Sequence, residues 1–187
     1  SRKERAAKEA RELLNSQYQG VLSTLSVDVP GYPFGSVVPY CLDRNGQPVM
    51  LISLIAQHTK NIKADPRVSL IVFDGEQDDI QANGRVTYLG NAEKIAADDE
   101  DTAQRYYRYF PEARDHHKAH DFDLYSVKLE KVRYIGGFGQ IHWVDTELFQ
   151  LPNPFNHKQE TGAVEHMNED HRDAILSYCD MANIVVP

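Results

Sequence analysis

A polar segment between two apolar segments carries the residues of this 187-residue chain that are best suited to bind an anion. Val49 to Ile55 is apolar almost throughout, which predicts a strand buried on both faces. A short helix capped by Thr59 would follow, and the NH groups of its first turn would lie beside Lys60 without intrahelical partners. Helix-start NH groups of this kind can bind phosphate. On spacing alone, however, an ordinary strand–helix–strand crossover with a capped helix is the favoured interpretation.

The same segment has a specific sequence pattern. It contains Ser53-Leu-Ile-Ala-Gln-His-Thr-Lys-Asn-Ile62, which is followed by Ala64-Asp-Pro-Arg-Val-Ser-Leu70. This pattern resembles the phosphate corner of the pyridoxamine 5′-phosphate oxidase-like, FMN-binding split barrels, and it is most similar to their HugZ/HutZ-like haem-utilisation branch. The resemblance extends over residues 14–171. It implies a small barrel that forms a homodimer, with the cofactor at the subunit interface.

FMN binding is the first functional prediction from this resemblance. The corner would hold the phosphate and the second strand would line the flavin ring, so the cofactor-binding residues are Ser36, Pro39, Tyr40, Ser53, His58, Thr59, Lys60 and Asn61. The protein would then be a flavin-dependent oxidoreductase acting on an unidentified small molecule, with the redox chemistry supplied by the flavin. Making Thr59 and Asn61 apolar is expected to weaken FMN binding and to leave folding intact. The pattern assigns no catalytic residue.

One difference from the oxidases of the family concerns the cations. Pyridoxamine phosphate oxidases carry an arginine on the second strand and an Arg-Lys pair at the corner, and both contact phosphate. The corresponding positions here hold Ser36 and Gln57-His58. We therefore expect weak FMN affinity, and we do not expect oxidation of pyridoxamine phosphate itself.

The alternative prediction is a haem-binding, haem-degrading protein of the HugZ/HutZ type. The resemblance implies Arg85 as a haem-pocket cation, Asp121 as an acceptor that tunes the iron ligand, and His171 as the axial ligand. A ligand histidine whose second ring nitrogen donates to a carboxylate is fixed in orientation and more basic. His171 could equally be an exposed helix histidine near several acids. A second alternative is a non-catalytic barrel with a vestigial pocket.

The histidines do not predict a metal site. His166 and His171 are five residues apart, so at about 100° per residue they point about 140° from each other and cannot share an ion. His116, His117 and His120 could place two imidazoles on one helical face, those of His116 and His120. Without a third kind of ligand, such a group is typical of a protein surface.

The elements that position these residues are mainly strands. A charged amphipathic helix over residues 1–18 precedes a strand meander over residues 20–73 that includes the short helix. Further predicted elements are a strand over 83–90, a helix over 92–110, a polar helical connection over 111–120, and strands over 121–130 and 133–144. Glycines 136, 137 and 139 indicate a bulge or a close ligand contact. The predicted fold class is mainly β with helices, an α+β antiparallel barrel.

Two domains are predicted. Residues 1–150 form the split-barrel domain, and Leu151-Pro-Asn-Pro154 marks its end. Residues 151–187 form a helical appendage with a helix from Gln159 to Asn183, and this appendage is expected to be incomplete.

The net charge and the lengths of the apolar runs argue against binding to nucleic acid or to a membrane. The formal net charge of −8 argues against non-specific nucleic-acid binding, which needs a basic face. No apolar run approaches the roughly 20 residues of a membrane span, so no membrane association is predicted. Cys41 and Cys179 are not in a metal-type spacing, and a reduced, cytoplasmic setting is expected.

Overall fold

The computed structural model describes residues 1–75, 81, 83–119, 121–137 and 139–185. The chain divides into two compact units, Ser1–Leu151 and Pro152–Pro187. The elements of the first unit are α1 (Arg2–Ser16), β1 (Gln19–Leu25), β2 (Pro33–Pro39), β3 (Cys41–Leu42), β4 (Pro48–Ser53), α2 (Gln57–Ala64), β5 (Arg67–Phe73), β6 (Gly84–Lys94), α3 (Glu100–Tyr109), α4 (Ala113–Ala119), β7 (Phe122–Gly136), β8 (Ile141–Val144) and α5 (Thr146–Phe149). The second unit contains α6 (His157–Asp170) and α7 (Arg172–Met181).

The strands form one antiparallel sheet in the order β2-β1-β5-β6-β7-β4-β3, and β8 pairs with β7. Side chains alternate between its two faces, as the period of a strand requires. The inner face forms the core with buried residues such as Leu22, Leu70, Val86 and Val132. The mainly β, α+β fold class predicted from the sequence is confirmed.

Helix α1 packs against this core through small residues. Ala6, Ala7 and Ala10 are buried, and Leu14 completes the apolar face. Short side chains allow a helix to approach a sheet closely, so the burial stabilises both elements. The buried hydroxyl of Tyr40 donates a hydrogen bond to the Leu14 carbonyl at 2.6 Å, which joins the helix to the strand region after β2.

The helix predicted over residues 92–110 is wrong in its first part. Strand β6 continues through Lys94, because residues after Gly90 pair with the long strand β7. The register shifts between Leu89 and Gly90, and a Cβ at Gly90 would lie 2.1 Å from the Lys128 carbonyl oxygen. Only glycine allows this close approach. Helix α3 starts later, where the Asp99 side chain accepts a hydrogen bond from the Thr102 NH.

The strand predicted over residues 133–144 is also wrong. Residues 122–136 form one continuous strand, and a turn leads into β8. Gly137 and Gly139 have φ angles of +91° and +80°, which favour glycine. These two glycines therefore form the β7–β8 connection, and Gly136 is the last residue of β7.

The second unit contains two helices where the sequence predicts one. The chain leaves the helical region at His171, where φ is −122° and ψ is 23°. Asn156 and Gln159 form a capping box at the start of α6. No described residue of either helix is buried. None of the helices in the described part of the chain is long and apolar enough to cross a membrane.

Candidate functional site

The corner between β4 and α2 has the predicted order of strand, turn and helix, and α2 ends at Ala64 with Asp65 as its C-cap before Pro66. The predicted cap is wrong: the N-cap is Ala56, and Thr59 lies in the first turn. Thr59 is fully buried, and its hydroxyl donates to the Ser53 carbonyl at 2.6 Å. The NH groups of Thr59 and Lys60 both donate to the Ala56 carbonyl, at 3.1 and 3.2 Å. These two NH groups therefore already have acceptors within the corner.

Asn61 connects the corner to β1. Its side chain is fully buried, and its Nδ2 donates to the Thr24 hydroxyl at 2.8 Å. Its Oδ1 accepts from the Val27 NH and from Gln57 Nε2, each at 3.0 Å. Asn61 thus stabilises the corner through hydrogen bonds to other groups of the chain. Phosphate binding by Asn61 remains a prediction.

The structure brings His58 and Ser36 together. His58 Nδ1 lies 3.1 Å from the Ser36 hydroxyl. Its Nε2 is buried and has no hydrogen-bond partner among the described residues. Burial lowers the pKa of His58, so the neutral imidazole is favoured. His58 consequently supplies no permanent positive charge to the corner.

The remaining predicted flavin residues have different environments. Tyr40 is fully buried within the core, and desolvation raises the pKa of its hydroxyl. Pro39 and Lys60 are exposed, and Ser53 accepts a long hydrogen bond of 3.4 Å from the Ile55 NH. The ring slot assigned to Pro39 and Tyr40 remains a prediction.

A second candidate surface lies on the side of the sheet that faces away from the core, and we call it the outer face. One row of directly paired residues crosses six strands, and a second row crosses four. The first row consists of Val37, Val21, Ile71, Thr87, Arg133 and Trp143. The second row consists of Phe73, Arg85, Ile135 and Ile141. Val37, Phe73, Ile141 and Trp143 are each more than half exposed.

Two arginines stand in this largely apolar surface. Arg85 Nη1 donates to the Asn83 carbonyl at 3.4 Å, and the Arg133 guanidinium lies 4.9 Å from the centre of the Trp143 ring. Sequence reasoning named Arg85 and missed Arg133 and Trp143. The available signal was the alternation of Arg133 with buried Val132 and Tyr134, which directs the arginine away from the core.

The other residues of the haem prediction lie in different units. Asp121 is exposed in the first unit with a left-handed φ of +46°, and its carbonyl accepts from the Leu54 NH at 2.6 Å. His171 is exposed in the second unit. The helix break at His171 places its ring 5.0 Å from that of His166, centre to centre and perpendicular. The predicted separation of about 140° is therefore wrong, because it assumed an unbroken helix.

The remaining histidines contact aromatic residues. His117 Nδ1 is hydrogen-bonded to the Tyr107 hydroxyl, and the His116 ring stacks on Phe122 at 6.1 Å. His120 lies outside the described residues. Across the part of the chain that the structure describes, no group of three or more histidine, cysteine or acidic side chains could hold a metal ion.

Known proteins resemble this chain over most of its length. Residues 1–150 match the family model described as CREG, beta-barrel. The chloroplastic non-canonical heme oxygenase HOZ of Arabidopsis thaliana is 30% identical over 175 residues, which are 88% of this chain. This chain spans only about half (52%) of the length of HOZ. Heme oxygenase HutZ of Vibrio cholerae is 30% identical over 134 residues, 68% of this chain and 76% of HutZ. A heme binding protein from Mycobacterium smegmatis has a similar solved structure, with a TM-score of 0.71 and 30% identity over 93% of this chain and 72% of that one.

Proposed function

We propose that this chain, which belongs to the CREG β-barrel family, is a haem-binding protein that breaks haem down oxidatively. The family match and the HutZ relative confirm the predicted split barrel of the HugZ/HutZ-like branch. Two relatives are named heme oxygenases and a third is named a heme binding protein. These names favour the alternative prediction, haem, over the first prediction, an FMN-dependent oxidoreductase.

The outer face is the observation that carries the proposal. A porphyrin is a flat apolar ring, and the outer face is an extended sheet surface whose Val37, Phe73, Ile141 and Trp143 are largely exposed. Each 100 Å² of apolar surface removed from water contributes about 2.5 kcal/mol. Apolar patches of this kind on a protein surface are often functional.

A second copy of the chain would cover the other side of the ring. The outer face contacts only one face of a planar ligand, so the opposite face would stay in water in a monomer. A homodimer with the ligand between two outer faces removes both faces from water. A ligand held between two copies would agree with the subunit-interface cofactor site that the resemblance implies.

The proposed roles of the polar residues follow from their chemistry. Arg85 would bind a carboxylate of the ligand, since a guanidinium forms paired hydrogen bonds with a carboxylate. The resemblance also implies His171 as the axial ligand and Asp121 as the acceptor that tunes it, and both roles remain predictions. When bound, haem supplies the iron that reacts with oxygen. The residues of this chain bind and orient the ring and limit the access of water.

FMN-dependent redox chemistry is the second candidate function. It is supported by the strand–turn–helix corner, which brings His58 to Ser36. Its support is weaker because Thr59 and Asn61 already use their side chains within the corner. Solution spectra distinguish the two candidates, since flavin and haem absorb at different wavelengths.

Hemin titration tests the proposal. We expect saturable binding with a Soret band, followed by loss of that band when oxygen and a reductant are supplied. Ile141→Asp, on the outer face, should weaken hemin binding strongly. Ile184→Asp is the matched control, because Ile184 is similarly exposed (59% against 54%) but lies in the second unit. FMN binding without hemin binding would refute the haem function, and equal hemin affinities of the two variants would refute the placement on the outer face.

A further inference from the structure

We infer that Arg85 and Arg133 act as a pair and select a planar ligand that carries two carboxylates. The inference rests on the proposed haem function and identifies residues that determine the specificity of the same surface. Arg133 is the new member of this pair. Its position on the strand, its contact with Trp143 and the absence of an acidic partner among the described residues all support the inference.

The strand register places both guanidiniums on one surface. Arg85 pairs directly with Ile135, and Arg133 pairs with Thr87, so the two arginines are diagonal neighbours on β6 and β7. Diagonal residues of an antiparallel pair lie about 7–8 Å apart, which long side chains can adjust. Haem carries its two carboxylates on flexible chains along one edge of the ring. Two arginines at this spacing can therefore each bind one carboxylate.

The two arginines differ from three other arginines of the chain, each of which has a carboxylate partner. Arg5 lies 2.7 Å from Glu9, Arg44 lies 3.6 Å from Asp101, and Arg67 is bonded to Asp65. Within the described ranges, no carboxylate lies within ion-pair distance of Arg85 or Arg133, although both side chains are half-buried. A half-buried cation without a carboxylate on an apolar surface favours the binding of an anion.

Trp143 keeps Arg133 available for that anion. The guanidinium lies over the indole ring at 4.9 Å, an arrangement that leaves its NH edge free for hydrogen bonds. The exposed Trp143 ring also provides an apolar surface beside the cation. Arg133 and Trp143 together thus combine a carboxylate-binding group with a ring-binding group.

The test compares hemin with hemin dimethyl ester, which has the same ring and no carboxylate charge. We expect Arg133→Gln and Arg85→Gln each to weaken hemin binding by roughly 10- to 100-fold, the effect of one lost charge-assisted hydrogen-bonding group. Neither variant should change the affinity for the ester. Lys131→Gln is the matched control, because Lys131 lies two residues before Arg133 on the same face of β7 and pairs with Leu89. It should bind both ligands like the wild type.

Each other outcome has a defined meaning. If the wild type binds neither ligand, the haem function and this inference both fail. If the wild type binds hemin and the ester equally, or if Arg133→Gln weakens both to the same extent, only the inference fails. Sedimentation and urea unfolding of each variant identify changes in assembly or folding. Weaker dimerisation of Arg133→Gln with unchanged selectivity for hemin would assign the arginines to carboxylates of the second copy and overturn the inference.

Discussion

The double variant Thr59→Val, Asn61→Leu tests what the polar groups of the corner do. The sequence predicts that this change weakens FMN binding and leaves folding intact. The structure predicts a loss of stability, because both side chains are fully buried and hydrogen-bonded within the chain. Ligand binding and folding stability can be measured separately, so the two expectations can be distinguished.

The magnitude follows from the hydrogen bonds that are lost. Thr59→Val removes the bond to the Ser53 carbonyl, and Asn61→Leu leaves the Val27 NH and the Thr24 hydroxyl without their Asn61 partner. Each buried group left without a partner costs about 1–3 kcal/mol. The Thr24 hydroxyl retains a donor bond to the Phe34 carbonyl at 3.3 Å, so its cost lies at the low end. The expected loss for the double variant is roughly 3–6 kcal/mol.

Urea unfolding of the apo protein measures this loss. For an m value of about 2 kcal/mol/M, the unfolding midpoint should fall by on the order of 2 M. Lys60→Gln is the control, since Lys60 lies between the two positions and is exposed, and it should change stability by less than about 0.5 kcal/mol. A double variant that unfolds at the wild-type urea concentration would show that these bonds do not hold the corner, and the phosphate assignment of Thr59 and Asn61 would regain its support.

Two further predictions concern the close approach at Gly90 and the protonation of His58. Gly90→Ala should destabilise the first unit by several kcal/mol, because its Cβ would lie 2.1 Å from the Lys128 carbonyl oxygen. Gly162→Ala is the control and should not destabilise the chain, because a Cβ at Gly162 meets no atom within 4 Å. Thermal unfolding measures the stability of both variants. Burial lowers the pKa of His58 below 6.5, so below pH 6.5 the unfolded chain binds a proton that the folded chain does not. The wild type should therefore lose stability relative to His58→Gln as the pH falls through 6.5, and parallel stability–pH curves would contradict this.

Local patterns in the sequence predicted the elements that depend on local chemistry. The apolar segment before the corner, the Asp65-Pro66 helix end and the first helix were predicted to within a few residues. The extension of β6 to Lys94 was missed, because it depends on pairing with a strand more than thirty residues away. The break at His171 was also missed. The residues around His171 favour a helix, and only the backbone angles of the structure show that the helix ends there.

The candidate site was predicted in part. The corner motif identified the family, yet its buried polar residues proved to hold the corner itself. Arg133 and Trp143 were missed because each is an ordinary residue of an alternating strand when considered alone. Their significance arises from the register, which pairs them and places Arg85 diagonally beside them. Register depends on the whole sheet and cannot be read from a single strand.

The corner and the outer face differ in their fixed positive charges, and they are therefore expected to bind different anions. The positions at which the oxidases of the resemblance carry arginine hold Ser36 and Gln57-His58 here, and burial lowers the pKa of His58, which favours the neutral imidazole. A phosphate at the corner would therefore meet few fixed positive charges. The outer face carries Arg85 and Arg133 within an apolar surface. Because a charge-assisted hydrogen bond is about twice as strong as a neutral one, anionic groups on a large apolar ring should bind the outer face in preference to the corner.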